Sequence, residues 1–90
     1  MEISRTVTIE NKLGLHARAA TKLAQLAQGF EATVTIQQAD KKANADSVMA
    51  LLMLASNQGK DVTVIATGNE AKVAVDAICE LISNKFDEDE

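Results

Sequence analysis

The chemistry this chain can offer is concentrated in one run, Gly14-Leu15-His16-Ala17-Arg18-Ala19-Ala20. His16 is the only histidine among 90 residues. Neutral imidazole is a nucleophile near physiological pH, because its unperturbed pKa is about 6.5. Arg18 follows two residues later. Its guanidinium presents a fixed fork of donors that fits phosphate and keeps its charge. The hydropathy pattern changes from strand-like to helix-like at this point, which puts His16 at or beside a helix N-cap. A helix start leaves its first N–H groups unpaired and carries partial positive charge. That environment favours an anion and disfavours a positive imidazolium. Gly14 gives the chain freedom for a sharp turn before the site. Imidazole, guanidinium and open N–H groups converging on one point can hold a phosphoryl group.

Other chemistries find little support. No Asp or Glu lies between residues 11 and 30. Local sequence therefore supplies no carboxylate to activate His16 as in a hydrolase triad, and only a distant one could. One cysteine and one histidine are too few for a standard zinc site, so no metal or cofactor is expected. Cys79 sits in an apolar helical pattern and reads as a buried small hydrophobe. The only aromatics are Phe30 and Phe86, and the net charge is −4. Both facts argue against a nucleic-acid surface. No apolar run approaches about 18 residues, and no signal core opens the chain, so a soluble, cytoplasmic monomer is the default expectation.

The elements that must position the site follow from periodicity. Residues 3–9 alternate, with Ile3, Arg5, Val7 and Ile9 on one face of a strand. From Ala17 the period becomes helical, with Ala20, Leu23, Ala24 and Ala27 inward and Gly29 as a left-handed cap. Residues 31–37 and 42–45 form a hairpin. Ser47 caps a second helix that runs to about Ser56 and is closed by Gly59. That helix is apolar nearly all round. Leu51 and Leu54 are assigned to the core, and some of Val48, Met49, Leu52 and Met53 must be exposed. Residues 61–67 form the last strand. Asn69 is the expected cap of a third helix over residues 70–84, and Phe86 is expected to pack over its end. Asp87-Glu88-Asp89-Glu90 reads as a solvated, frayed tail. The order β-α-β-β-α-β-α indicates one α+β domain over residues 1–90, an antiparallel sheet with helices on one face.

The run GLHARAA resembles the active-site signature of HPr, the histidine phosphocarrier of the phosphoenolpyruvate phosphotransferase system. The motif Asp46-Ser47-Val48-Met49-Ala50-Leu51 and the element order fit the same family across nearly the whole chain. The acidic ending and Leu51-Leu52-Met53-Leu54 are similar to its nitrogen-related branch, NPr. One departure is Ala19, where the family commonly has proline. Both residues suit a helix's first turn, so the change bears on rigidity more than chemistry. The resemblance implies an open-faced sandwich of four strands and three helices, and a relay protein, not an enzyme. It implies reversible phosphorylation of His16 at Nδ1. The donor would be a phosphohistidine on enzyme I or its nitrogen-system relative, and the acceptor a histidine on an enzyme IIA-type protein. Arg18 would balance phosphoryl charge, and the N–H groups of Ala17 and Arg18 would hold its oxygens. Partners would dock over Ala20, Val48, Met49, Leu52 and Met53. In some relatives the serine corresponding to Ser47 is a regulatory phosphorylation site, although here the helix cap already accounts for it. The competing reading is a small regulatory interaction module that carries no phosphate.

Overall fold

The computed structural model describes residues 1–88. The elements are β1 (Glu2–Thr8), α1 (Ala17–Ala27), β2 (Thr33–Gln38), β3 (Lys41–Asn44), α2 (Val48–Met53), β4 (Asp61–Thr67) and α3 (Ala71–Ser83), followed by a short terminal turn over Lys85–Asp87. One four-stranded antiparallel sheet runs in the order β1-β4-β2-β3. The last strand in sequence is thus central, and the hairpin β2–β3 forms one edge.

The register explains which face is covered. Ile3 pairs with Ala66, which pairs with Val34, and Arg5 pairs with Val64, which pairs with Ile36. These rows lie under the helices, where Val34, Ile36, Val64 and Ala66 are buried. The alternate row, Thr6-Thr63-Gln37, faces away, as the period of two requires. Arg5 sits at the edge of the covered face, where its Nη2 donates to Asp76 Oδ1 of α3 at 2.6 Å. The core is aliphatic, built from Leu23, Leu51, Val62, Val75, Ile78 and Ile82, with Phe86 as its one fully buried aromatic. Cys79 is a free, buried thiol within it.

Three element ends differ from expectation, each because the chain finds its hydrogen bonds elsewhere. Gly29 is not left-handed. The end of α1 tightens instead, with Gly29 N–H donating to Leu26 O at 3.1 Å and Phe30 N–H to Ala27 O at 3.4 Å. α2 stops at Met53, not Ser56, and Ala55 takes a left-handed φ of 53°. That exit brings Ser56 under the loop before α1, where its carbonyl accepts from Leu15 N–H at 2.8 Å. Glu70, not Asn69, stands at the N-cap of α3. It is tied to the approach to β2: its N–H donates to Glu31 O at 3.1 Å, and its carboxylate accepts from Glu31 N–H at 2.7 Å.

Candidate functional site

His16 is the N-cap residue of α1, in an extended conformation (φ −84°, ψ −177°). Its carbonyl accepts the first helical bond, from Ala20 N–H at 2.8 Å. Its side chain makes no capping hydrogen bond. Among the described residues, the N–H groups of Ala17, Arg18 and Ala19 therefore have no acceptor. Ala17 and Arg18 are exposed, so this helix start offers open donors to solvent. Arg18 makes no hydrogen bond or ion pair among the described residues, and its charge acts on the nearby Glu88 carboxylate.

The loop that delivers His16 is held from below. Gly14 has a φ of 67°, and a Cβ there would lie 2.5 Å from Ser56 O and 2.9 Å from Asn57 Cα. Both the left-handed backbone and the close approach demand glycine. Leu15 is buried, and His16 N–H donates to Gly14 O at 2.9 Å. Asn11, which composition marks only as a turn residue, is fully buried. Its Nδ2 donates to Gly14 O at 2.8 Å and to Glu88 Oε1 at 2.9 Å.

Glu88 is the second residue that sequence reasoning missed. Its charged neighbours predict a frayed tail, yet its side chain is only 9% exposed, and its Oε2 is hydrogen-bonded to His16 Nε2. The imidazole remains 23% exposed, with its Nε2 edge engaged. Nδ1 is the ring nitrogen with no partner among the described residues. Burial alone would push the Glu88 carboxyl up. The hydrogen bonds from Asn11 and His16, with the nearby charges of His16 and Arg18, more than reverse this and hold it below its usual value. The tail expectation therefore fails for Glu88, because Phe86 plugs the core and carries Glu88 back to His16, while Asp87 is solvent-exposed as expected. Asp89 and Glu90 lie outside the described residues. Linear distance hid this contact, since 72 residues separate His16 from Glu88. The available signal was the lone late aromatic, Phe86, which a core short of aromatics would bury.

The surface beside the site divides the remaining expectations. Met49 and Met53 are 70% and 74% exposed, Leu52 is also exposed, and Val48 is half-buried against the core. Ala20, assigned to the same docking surface, is fully buried and presents no side chain to a partner. It faces inward because it belongs to the helix's apolar stripe, Ala20-Leu23-Ala24-Ala27, which is buried in the core. Ser47 caps α2, its Oγ accepting from Ala50 N–H at 3.2 Å. Among the described residues, no group of three His, Cys, Asp or Glu side chains is placed to hold a metal ion.

Comparison with known proteins places this geometry in context. A family model described as the PTS HPr component phosphorylation site matches residues 3–84. Phosphocarrier protein NPr of Shewanella violacea is 58% identical over 87 residues, covering 97% of this chain and 96% of that one. Phosphocarrier protein NPr of Escherichia coli is 47% identical over 90 residues, covering 99% and 100%. The crystal structure of HPr-C-His from Thermoanaerobacter tengcongensis superposes with a TM-score of 0.93 at 36% identity, covering 98% of this chain and 99% of that one. Similarity of this extent runs from the first strand through the third helix and includes the loop that carries the only histidine. The chain belongs to the HPr family, the phosphocarrier proteins of the phosphoenolpyruvate phosphotransferase system.

Proposed function

We propose that His16 Nδ1 is the atom that carries the phosphoryl group. The observation that carries this reading is the division of labour around the ring. Nε2 is engaged by Glu88, and among the described residues Nδ1 is left unpartnered beside a helix start whose first N–H groups have no acceptor. In the forward step the Nδ1 lone pair attacks phosphorus. The N–P bond of a donor phosphohistidine breaks, and its electrons return to the donor ring. The donor is enzyme I or its nitrogen-system relative, charged by phosphoenolpyruvate. In the second step a histidine of an enzyme IIA-type protein attacks in turn, and His16 is regenerated.

Arg18 balances charge on the transferring group, and the N–H groups of Ala17 and Arg18 hold its oxygens. A relay must not bind the phosphoryl group so well that onward transfer stalls. An exposed site with one guanidinium and a few backbone donors meets that requirement. The protein is a monomeric cytoplasmic carrier, and its partners complete the chemistry. They dock on Val48, Met49, Leu52 and Met53, where flexible methionines suit more than one partner face. The nitrogen branch is favoured by relatives named NPr at 47% and 58% identity, against relatives named HPr at 38–46%. Ser47 serves as a helix cap.

The test is nitrogen-15 and phosphorus-31 NMR of the labelled protein after incubation with phosphoenolpyruvate and enzyme I of each branch. Phosphorus coupled to Nδ1 of His16 is expected, with the signal discharged by an enzyme IIA-type acceptor. Phosphorus on Nε2, or on Ser47, contradicts the reading. A protein that binds these partners without acquiring phosphorus is the non-phosphorylated interaction module.

A further inference from the structure

We infer that Glu88 is a positioning residue for His16: its carboxylate fixes the ring tautomer and so makes Nδ1 the nucleophile. The inference rests on the phosphocarrier reading for its consequence, but not for its geometry. An ionised carboxylate has only acceptors. A hydrogen bond between Glu88 Oε2 and His16 Nε2 therefore requires the hydrogen on Nε2. In the neutral ring this leaves the lone pair on Nδ1, the nitrogen on the unpartnered side. The other carboxylate oxygen is held by Asn11 Nδ2 at 2.9 Å, and the same amide donates to Gly14 O at 2.8 Å. Asn11 is fully buried, so the amide that aims Glu88 is packed in place and joined to the loop carrying His16.

The backbone leading to Glu88 is held in a conformation that needs a reason. Lys85, Phe86 and Asp87 take φ values of 59°, 55° and 62°, three successive non-glycine residues in the left-handed region. Such residues persist only where the surroundings over-determine them. Here Phe86 is fully buried, Lys22 Nζ donates to Phe86 O at 2.9 Å, and Glu88 N–H donates to Lys85 O at 2.9 Å. The anchored turn delivers Glu88 to the imidazole.

The same contact acts during transfer. When Nδ1 bonds phosphorus, the hydrogen stays on Nε2 and the ring becomes cationic. Glu88 faces that charge. No proton leaves or enters, so the step reverses without an external acid or base, as a relay between two histidines requires.

The test uses the full chain as wild type, Glu88→Gln and Glu88→Ala, with folding checked by thermal unfolding. Nitrogen-15 NMR of the unphosphorylated protein at neutral pH reads the His16 tautomer directly. Wild type is expected to hold the hydrogen on Nε2. In Glu88→Gln the introduced amide can donate to Nε2, so a large share of the ring should move to the Nδ1–H form. Glu88→Ala should give a mixture. Phosphorylation by enzyme I should slow about tenfold in Glu88→Gln, the scale of losing one charge-assisted hydrogen bond. A purely structural role for Glu88 would alter unfolding and leave the tautomer unchanged, and that result overturns the inference. So does an unchanged phosphorylation rate in a variant whose tautomer has shifted. If wild type takes up no phosphoryl group, the carrier reading fails, while the tautomer comparison still decides what Glu88 does to the ring.

Discussion

Two helices in this molecule begin beside functional-looking motifs, and they begin differently. α1 opens with His16, whose side chain turns away to Glu88 and leaves the first N–H groups without acceptors among the described residues. α2 opens with Ser47, whose hydroxyl fills the N–H of Ala50. The second start is closed by its own chain, and its chemistry is local. The first is kept open, and the residues that keep it so come from the turn after β1, the segment after α2 and the far end of the chain. An open helix start forgoes about 1 kcal/mol that a capping side chain commonly supplies. What it gains is a place where an anion meets donors already aligned and not engaged by a side chain of the helix's own cap.

The comparison can be broken most severely by closing the open end. His16→Ser places a good capping residue on α1. It is expected to abolish acid-labile phosphorylation completely, read by intact mass, while the new cap offsets only part of the lost Glu88 contact in the unfolding temperature, read by calorimetry. A retained phosphoryl group at another residue would remove His16 from the centre of the account. The next largest effect tests the remote support. Phe86→Ala removes the one fully buried aromatic and should cost about 3–5 kcal/mol in denaturant unfolding. It should also free Glu88, so that the His16 ring loses its fixed tautomer in whatever fraction remains folded.

Opening the closed end is a milder change. Ser47→Ala should lose about 1 kcal/mol of stability and keep its phosphorylation rate with enzyme I. A loss of phosphoryl uptake as large as that of His16→Ser would mean that the two helix starts do not divide structure from chemistry. The smallest effect is acidic. The Glu88 carboxyl is held below its usual value by Asn11, His16 and Arg18 against the opposing effect of burial. Its contribution to stability is therefore complete above the ordinary glutamate value of about 4.3, and it is lost as pH falls through the lower folded value. Thermal unfolding of wild type and Glu88→Gln from neutral pH to acid should show a gap that narrows toward acid. A gap that widens there has the wrong sign.

Much of this molecule was legible in its sequence because local rules decide it. The alternation at Val34 and Ile36 and at Val62, Val64 and Ala66 follows from a sheet covered on one face. The N-cap positions of His16 and Ser47 follow from the change of period and from capping chemistry. The exposed Met49 and Met53 follow from a helix too apolar for a small core to bury on all sides. The misreadings at Gly29, Ser56 and Asn69 are of a different kind. At each, a turn residue is suited to the role, but a tertiary hydrogen bond settles where the helix starts or stops. Ala20 looked available beside the site, but the helix rotation that buries Leu23 and Ala27 buries it too. Glu88 and Asn11 were illegible because their roles depend on packing between chain positions 77 residues apart. Charge composition marks Glu88 as solvated, and the burial of Phe86 beside it overrides that.

The central claim is that His16 carries the phosphoryl group, and intact-mass measurement tests it most directly. Wild type and His16→Ala are incubated side by side with phosphoenolpyruvate and enzyme I of either branch, and each sample is read before and after brief acid treatment. A gain of one phosphoryl group in wild type alone, removed by acid, is the expected result, and the faster donor identifies the branch. No gain with either donor, or an equal gain in His16→Ala, would contradict the account.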